Sequence, residues 1–252
     1  MIRHDDDADE GSIKVPGLKQ VSTHRFLLLS LIIITMSVLK LVSLRPPKVG
    51  FDLYVMSMSY QPEFCYKNRH EGWPGCTHPL DFWKSHLTIH GLWPEYVDGT
   101  WPQFCTPEIL DNETISPLLS QMEQYWPNVK ALEPTAKHFY EFWQHEWSKH
   151  GTCSGLGQKE YFGAALHHFV DTPNLVAQNY GGVVNKTDLL EAYGHHTVLV
   201  CQAKQWLSEI RICLGATKEG EPLQRVACPK PTEAEDSCQE EQIRIARFPE
   251  IQ

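Results

Sequence analysis

The chain has 252 residues, of which 42% are apolar or aromatic (Ala, Val, Ile, Leu, Met, Phe, Trp, Tyr, Cys) and 21% are charged. That composition can bury a sizeable core, and it excludes both wholesale disorder and a collagen-like or coiled-coil fibre. The balance of 22 Lys and Arg against 31 Asp and Glu, a net charge of −9, excludes a protein that grips nucleic acid by blanket phosphate neutralisation at neutral pH.

Residues 1–25 form a polar tail with an acidic cluster at Asp5, Asp6, Asp7, Asp9 and Glu10. Residues 26–44, FLLLSLIIITMSVLKLVSL, are a signal peptide or a signal-anchor segment. The run up to Lys40 has the length of a signal-peptide core. With Lys40 snorkelling and Leu41 to Leu44 included, it is long enough to span a bilayer. Both readings stay open, and residues 45–252 are expected to form the folded domain.

Within that domain, FDLYVMSMSY (51–60) alternates apolar and polar positions and predicts a strand, and LTIHGLW (87–93) predicts a second. Residues 134–150 predict a helix: Pro134 suits a first turn, Phe139, Phe142, Trp143 and Trp147 recur at helical spacing, and Gly151 can end it. Residues 158–170 predict another. Strands are expected at 196–201, 207–214 and 243–248. Strands and helices mix without regular βαβ alternation, so the fold class is α+β, a central, mainly antiparallel sheet flanked by helices.

The eight cysteines include no C-x-x-C pair, which removes support for a zinc ribbon or finger. An even count downstream of the apolar segment predicts four disulfides formed in an oxidising lumen. Sequons at Asn112 and Asn185 agree with that compartment.

Two segments can carry chemistry: His90-Gly91-Leu92-Trp93-Pro94 at a strand end, and His145-Glu146-Trp147-Ser148-Lys149-His150 at a helix end. The latter is HExxxH rather than HExxH. Its histidines point from different faces with Lys149 between them, which opposes metal binding. Histidines with a carboxylate and a lysine suit RNA cleavage. That reaction needs a base for the 2′-OH, an acid for the 5′-leaving oxygen and cations beside the charged phosphorus. Histidine titrates near mild pH and serves both proton transfers. The residue types do not say which histidine is base and which is acid. The remaining histidines are expected to be structural, with His86 a distant candidate.

At LTIHGLWPEY and FWQHEWSKHGTC the sequence resembles the ribonuclease T2 family, over roughly Phe51 to Phe248. The resemblance implies a metal-independent endoribonuclease domain over residues 45–252 that needs no cofactor. It would cleave single-stranded RNA by transphosphorylation to 2′,3′-cyclic phosphate ends, then hydrolyse these more slowly to 3′-phosphates. It assigns His150 as general base, His90 as general acid, His145 as the phosphate-binding histidine, and Glu146 and Lys149 as the groups that tune the base and stabilise the transition state. It places base recognition at Trp93, Glu95 and Trp101, and a second base site near Tyr60 and Gln61. It implies the pairs Cys65–Cys76, Cys105–Cys153, Cys201–Cys238 and Cys213–Cys228.

The partner expected is single-stranded RNA, with no metal, a monomeric enzyme, and a membrane tether through residues 26–44 if these are retained. The location implied is the secretory pathway: secreted, vacuolar or lysosomal, or anchored. The alternatives are a catalytically silent binding or signalling glycoprotein and a membrane-tethered recognition module. Residues 1–44 are neutral overall, so the remainder keeps the −9, and its 11 histidines would bring it to +2 if all were protonated. An acidic lumen therefore favours RNA, and a pH optimum below 7 is expected.

Overall fold

A computed structural model describes residues 50–131 and 136–249. The tail at 1–25, the apolar segment at 26–44 and the expected helix start at Pro134 lie outside the described residues. Among the described residues, no helix is long and apolar enough to cross a membrane.

The sheet has seven strands: β1 (Leu53–Tyr60), β2 (Leu87–Glu95), β3 (Val183–Asn185), β4 (Val198–Gln202), β5 (Trp206–Ala216), β6 (Pro222–Val226) and β7 (Gln242–Arg244). Its order is β2-β1-β5-β7-β3, with β4 and β6 also paired to β5. All pairings are antiparallel except the short β5–β7 contact. The mainly antiparallel α+β expectation therefore holds. The last strand is shorter than expected, because only Gln242–Arg244 pair with β3. Five helices matter here: α1 (Gln61–Lys67), α2 (Leu119–Tyr125), α3 (Ala136–Lys149), α4 (Gln158–Val170) and α5 (Lys186–Tyr193). The first, second and fifth were not expected from sequence.

Alternation on β1 and β5 divides the sheet into two faces. Tyr54, Met56, Met58 and Tyr60, with Ile210, Ile212 and Leu214, enter the main core beneath the helices, together with Phe139, Trp143 and Trp147 of α3. The opposite face carries a smaller cluster of Leu53, Val55, Val198, Cys213 and Cys228, against which Trp93 packs. One face of the sheet thus holds the fold, and the other is left for a site.

Strand β2 breaks the alternation. Ile89 and Leu92 both reach the main core although three residues apart, an odd spacing that a regular strand forbids. The register resolves this: Met58 pairs with Ile89 and Ser57 with Gly91, leaving His90 as the extra residue of a β-bulge. The free edge of β2 is covered by side chains. Trp126 Nε1 donates to the His90 carbonyl at 2.9 Å, and the Tyr161 hydroxyl of α4 donates to the Leu92 carbonyl at 2.8 Å. These aromatics close off carbonyls that would otherwise template another strand.

Four disulfides form with the expected partners, Cys65–Cys76, Cys105–Cys153, Cys201–Cys238 and Cys213–Cys228.

Candidate active site

The bulge at His90 and the C-terminal end of α3 meet beside β2. On α3, Phe139, Trp143 and Trp147 are buried at helical spacing, and Glu146, Lys149 and the following His150 lie on the side that meets Trp93 of β2. Lys149 is the last helical residue, followed by His150 and a 3₁₀ turn at Gly151–Cys153. A Cβ on Gly151 would lie 2.3 Å from Trp147 Cε3, so only glycine lets the chain turn this closely over the indole. The Cys105–Cys153 bridge and the Phe104 N–H, donating to the Lys149 carbonyl at 3.0 Å, tie this helix end to the loop after β2.

Five expected residues converge: His90, Trp93, Glu146, Lys149 and His150. Trp93 Nε1 donates to Glu146 Oε2 at 3.0 Å. The Trp93 ring stacks on His150 at 5.4 Å and meets His90 edge-on at 5.0 Å. A Cβ on Gly91 would fall 2.1 Å from Trp93 Nε1 and 2.3 Å from Glu146 Oε2, so the glycine makes room for that hydrogen bond. The two motifs thus interlock through one indole. His145 is exposed at the edge of the cluster.

The electrostatics of the two central histidines are opposed. His150 is buried, its Nδ1 has no hydrogen-bond partner, and desolvation with the charges of Lys149, His145 and His90 pushes its pKa down to about 3. For His90, burial pulls toward the neutral form. A 2.8 Å hydrogen bond from Nδ1 to Glu209 Oε1, with the charges of Glu209 and Glu146, outweighs that and raises its pKa despite Arg211. Desolvation, then Lys149 and His90, lower His145. Burial raises Glu146, offset in part by His90 and Trp93.

Beside these lies a pocket of about 140 Å³ lined by Val55, Trp93, Glu95, Trp101, Lys149, His150, Arg211 and Glu235. Trp101 is 50% exposed, which fits a stacking platform better than a core residue. Glu95 is buried, accepts a hydrogen bond from the Thr232 hydroxyl, and is raised by desolvation. The expected second base site is not formed by Tyr60 and Gln61. Both are buried and engaged, Tyr60 with the Ala246 carbonyl at 2.7 Å and Gln61 with Thr88 Oγ1 at 2.8 Å, because their strand end turns straight into α1.

Sequence reasoning missed Glu209 and Arg211 of β5. Arg211 donates to Glu209 Oε2 through Nη2 at 2.7 Å and Nε at 3.0 Å, pairs with Glu235, and lies over the Trp93 ring. Their signal was present in LSEIRICL: two opposite charges two residues apart in an apolar strand share one sheet face.

The profile of the Ribonuclease T2 family matches residues 51–228. Intracellular ribonuclease LX of Solanum lycopersicum is 33% identical over 184 residues, 66% of this chain and 74% of the relative. Ribonuclease T2 of Homo sapiens is 33% identical over 189 residues, 66% of this chain and 67% of the relative. Among solved structures, RNase NT in complex with 5′-AMP superposes with a TM-score of 0.56 at 25% identity, covering 79% of this chain and all of that one. The matched span contains both histidine motifs, the bulge that carries His90 and the end of α3, and the chain belongs to the ribonuclease T2 family as an endoribonuclease of that type.

Proposed function

We propose that the protein cleaves single-stranded RNA without a metal, by transphosphorylation to 2′,3′-cyclic phosphate ends and slower hydrolysis to 3′-phosphates. The opposed settings of His90 and His150 carry this reading. His150 is held neutral and can take the 2′-OH proton. His90, sustained as a cation by Glu209, can protonate the 5′-oxygen as the P–O5′ bond breaks. When the cyclic phosphate opens, the roles reverse: His90 takes a proton from water and His150 returns one to O2′. Lys149 and His145 supply donors for the phosphate, with Glu146 fixed by Trp93 behind them.

The pocket shared by Trp93, Glu95 and the exposed Trp101 is read as the base site, with Glu95 accepting from the base edge, and the 5′-AMP held by RNase NT supports a nucleotide ligand. Four disulfides and exposed asparagines at both sequons, Asn112 and Asn185, support a glycosylated product of the secretory pathway. In this reading residues 26–44 act as the signal or anchor, and residues 45–252 as a monomeric catalytic domain.

The test is cleavage of a single-stranded oligoribonucleotide with EDTA present, with product ends identified by mass spectrometry. Cyclic phosphates, an optimum below pH 7 and loss of activity in His90→Ala and His150→Ala are expected. The sign follows from the pKa directions: a base lowered to about 3 stays competent in acid, and an acid raised above its ordinary value stays protonated toward neutrality. Activity abolished by EDTA refutes the metal-free mechanism, and no activity from pH 4 to 8 refutes the reading in favour of a silent binding protein.

A further inference from the structure

The site contains a carboxylate that none of the motif residues provides. Glu209 lies on β5, two strands from His90 in the sheet order, yet its Oε1 accepts from His90 Nδ1 at 2.8 Å. The bulge makes this reach possible, since His90 is the residue of β2 without a partner on β1. The other oxygen, Oε2, is held by Arg211 Nη2 at 2.7 Å, Arg211 Nε at 3.0 Å and the Ser57 hydroxyl at 3.2 Å. Three donors on two neighbouring strands thus fix one oxygen and aim the other at the imidazole. Arg211 is itself anchored by Glu235.

We propose that Glu209 is the positioning residue of His90, binding its Nδ1–H so that Nε2 is the nitrogen presented to the scissile phosphodiester. This rests on the reading of His90 as general acid. In the first step His90 enters as imidazolium, its Nε2 proton passes to O5′ as P–O5′ breaks, and the ring is left neutral with Nδ1–H still on the carboxylate. In the second step Nε2 takes a proton from the attacking water, restoring the imidazolium. Both steps leave Nδ1–H untouched, and a carboxylate there stabilises the cation and selects the productive neutral tautomer.

Other charges also face His90. From α3, Glu146 favours the cation, and Arg211 from β5 opposes it; His145 and His150, lowered by desolvation and by the charges of Lys149 and His90, face it as groups held toward their neutral forms. Glu146 Oε2 is committed to Trp93. Glu209 alone among these acids makes a hydrogen bond to the His90 ring.

The test is an NMR titration of the His90 imidazole in the wild-type protein and in Glu209→Gln, with kcat and KM for a dinucleotide measured across pH. In Glu209→Gln the amide oxygen is expected to stay with Arg211 and its NH₂ to meet Nδ1. The His90 midpoint should fall by about one pH unit or more, and the neutral tautomer should switch to Nε2–H. The kcat should drop roughly tenfold to a hundredfold with KM changed less than about twofold, and the alkaline limb of the kcat profile should move to lower pH. An unmoved midpoint and tautomer overturn the proposal. A moved midpoint with unmoved kcat shows that Glu209 holds His90 but overturns the assignment of His90 as the acid. If Glu209→Gln does not fold, Glu209→Asp keeps the charge beside Arg211 while withdrawing the oxygen from His90. It should give a smaller fall in the same direction, and no fall overturns the proposal.

Discussion

Gly91→Ala is the sharpest single perturbation of the interlock between the two motifs. The added Cβ would lie 2.1 Å from Trp93 Nε1 and 2.3 Å from Glu146 Oε2, inside any tolerable contact, and both atoms belong to packed groups. Trp93 cannot swing away freely, because His150 lies against its face and Arg211 over its ring. Glu146 is buried, with Oε2 committed to Trp93. Breaking a hydrogen bond to a buried carboxylate and forcing an overpacked side chain cost together on the order of 2–5 kcal/mol. For a domain of this size that lowers Tm by roughly 5–15 °C. Where the variant is still folded, kcat/KM should fall about a hundredfold, since displacement of a positioned group by an ångström costs about that much. Thermal unfolding and RNA cleavage at 20 °C measure the two effects. A variant that matches the wild type in both would refute the contact of Trp93 with Glu146 as the organiser of the site.

Two further outcomes follow from a buried carboxyl of α1 and from the disulfide at the end of α3. Glu63, in the first turn of α1, is buried with Oε2 unpartnered, and desolvation raises its pKa from 4.5 to about 7 despite Lys67. A carboxyl raised on folding binds its proton more tightly in the folded state, so stability falls as pH rises from about 4.5 to 7, by on the order of 2–3 kcal/mol. Glu63→Gln should remove that loss, giving a Tm that declines less than the wild type's between pH 5 and 7.5; parallel curves would contradict it. The double substitution of Cys105 and Cys153 by Ala opens a link of sequence separation 48, worth about 4 kcal/mol in the chain-entropy account. Because the link also holds the helix end against the loop after β2, kcat/KM should fall as well. Unchanged melting would remove the bridge from the stability of this site.

The residue sequence by itself singled out the candidate catalytic residues. Two local motifs, each within a short stretch of chain, carried His90, His145, Glu146, Lys149 and His150, and helical spacing of Phe139, Trp143 and Trp147 placed the second on a helix end. The elements at 158–170 and at the core strands were legible for the same reason: periodicity is a property of neighbouring residues. Only the tertiary structure decided how the histidines differ. The bulge at His90 depends on pairing with β1, which no local pattern in LTIHGLW announces. Glu209 lies 119 residues beyond His90 in the chain, and its charge reaches the imidazole only because β1 and β5 are neighbours in the sheet. Tyr60 and Gln61 show the converse. The family resemblance placed a base site near them, but their side chains are buried and engaged under the C-terminal segment and against β2. Residue types set which proton transfers are possible, whereas burial and long-range pairing set which histidine is held neutral and which is sustained as a cation, because desolvation and Coulomb terms depend on distance in space rather than along the chain.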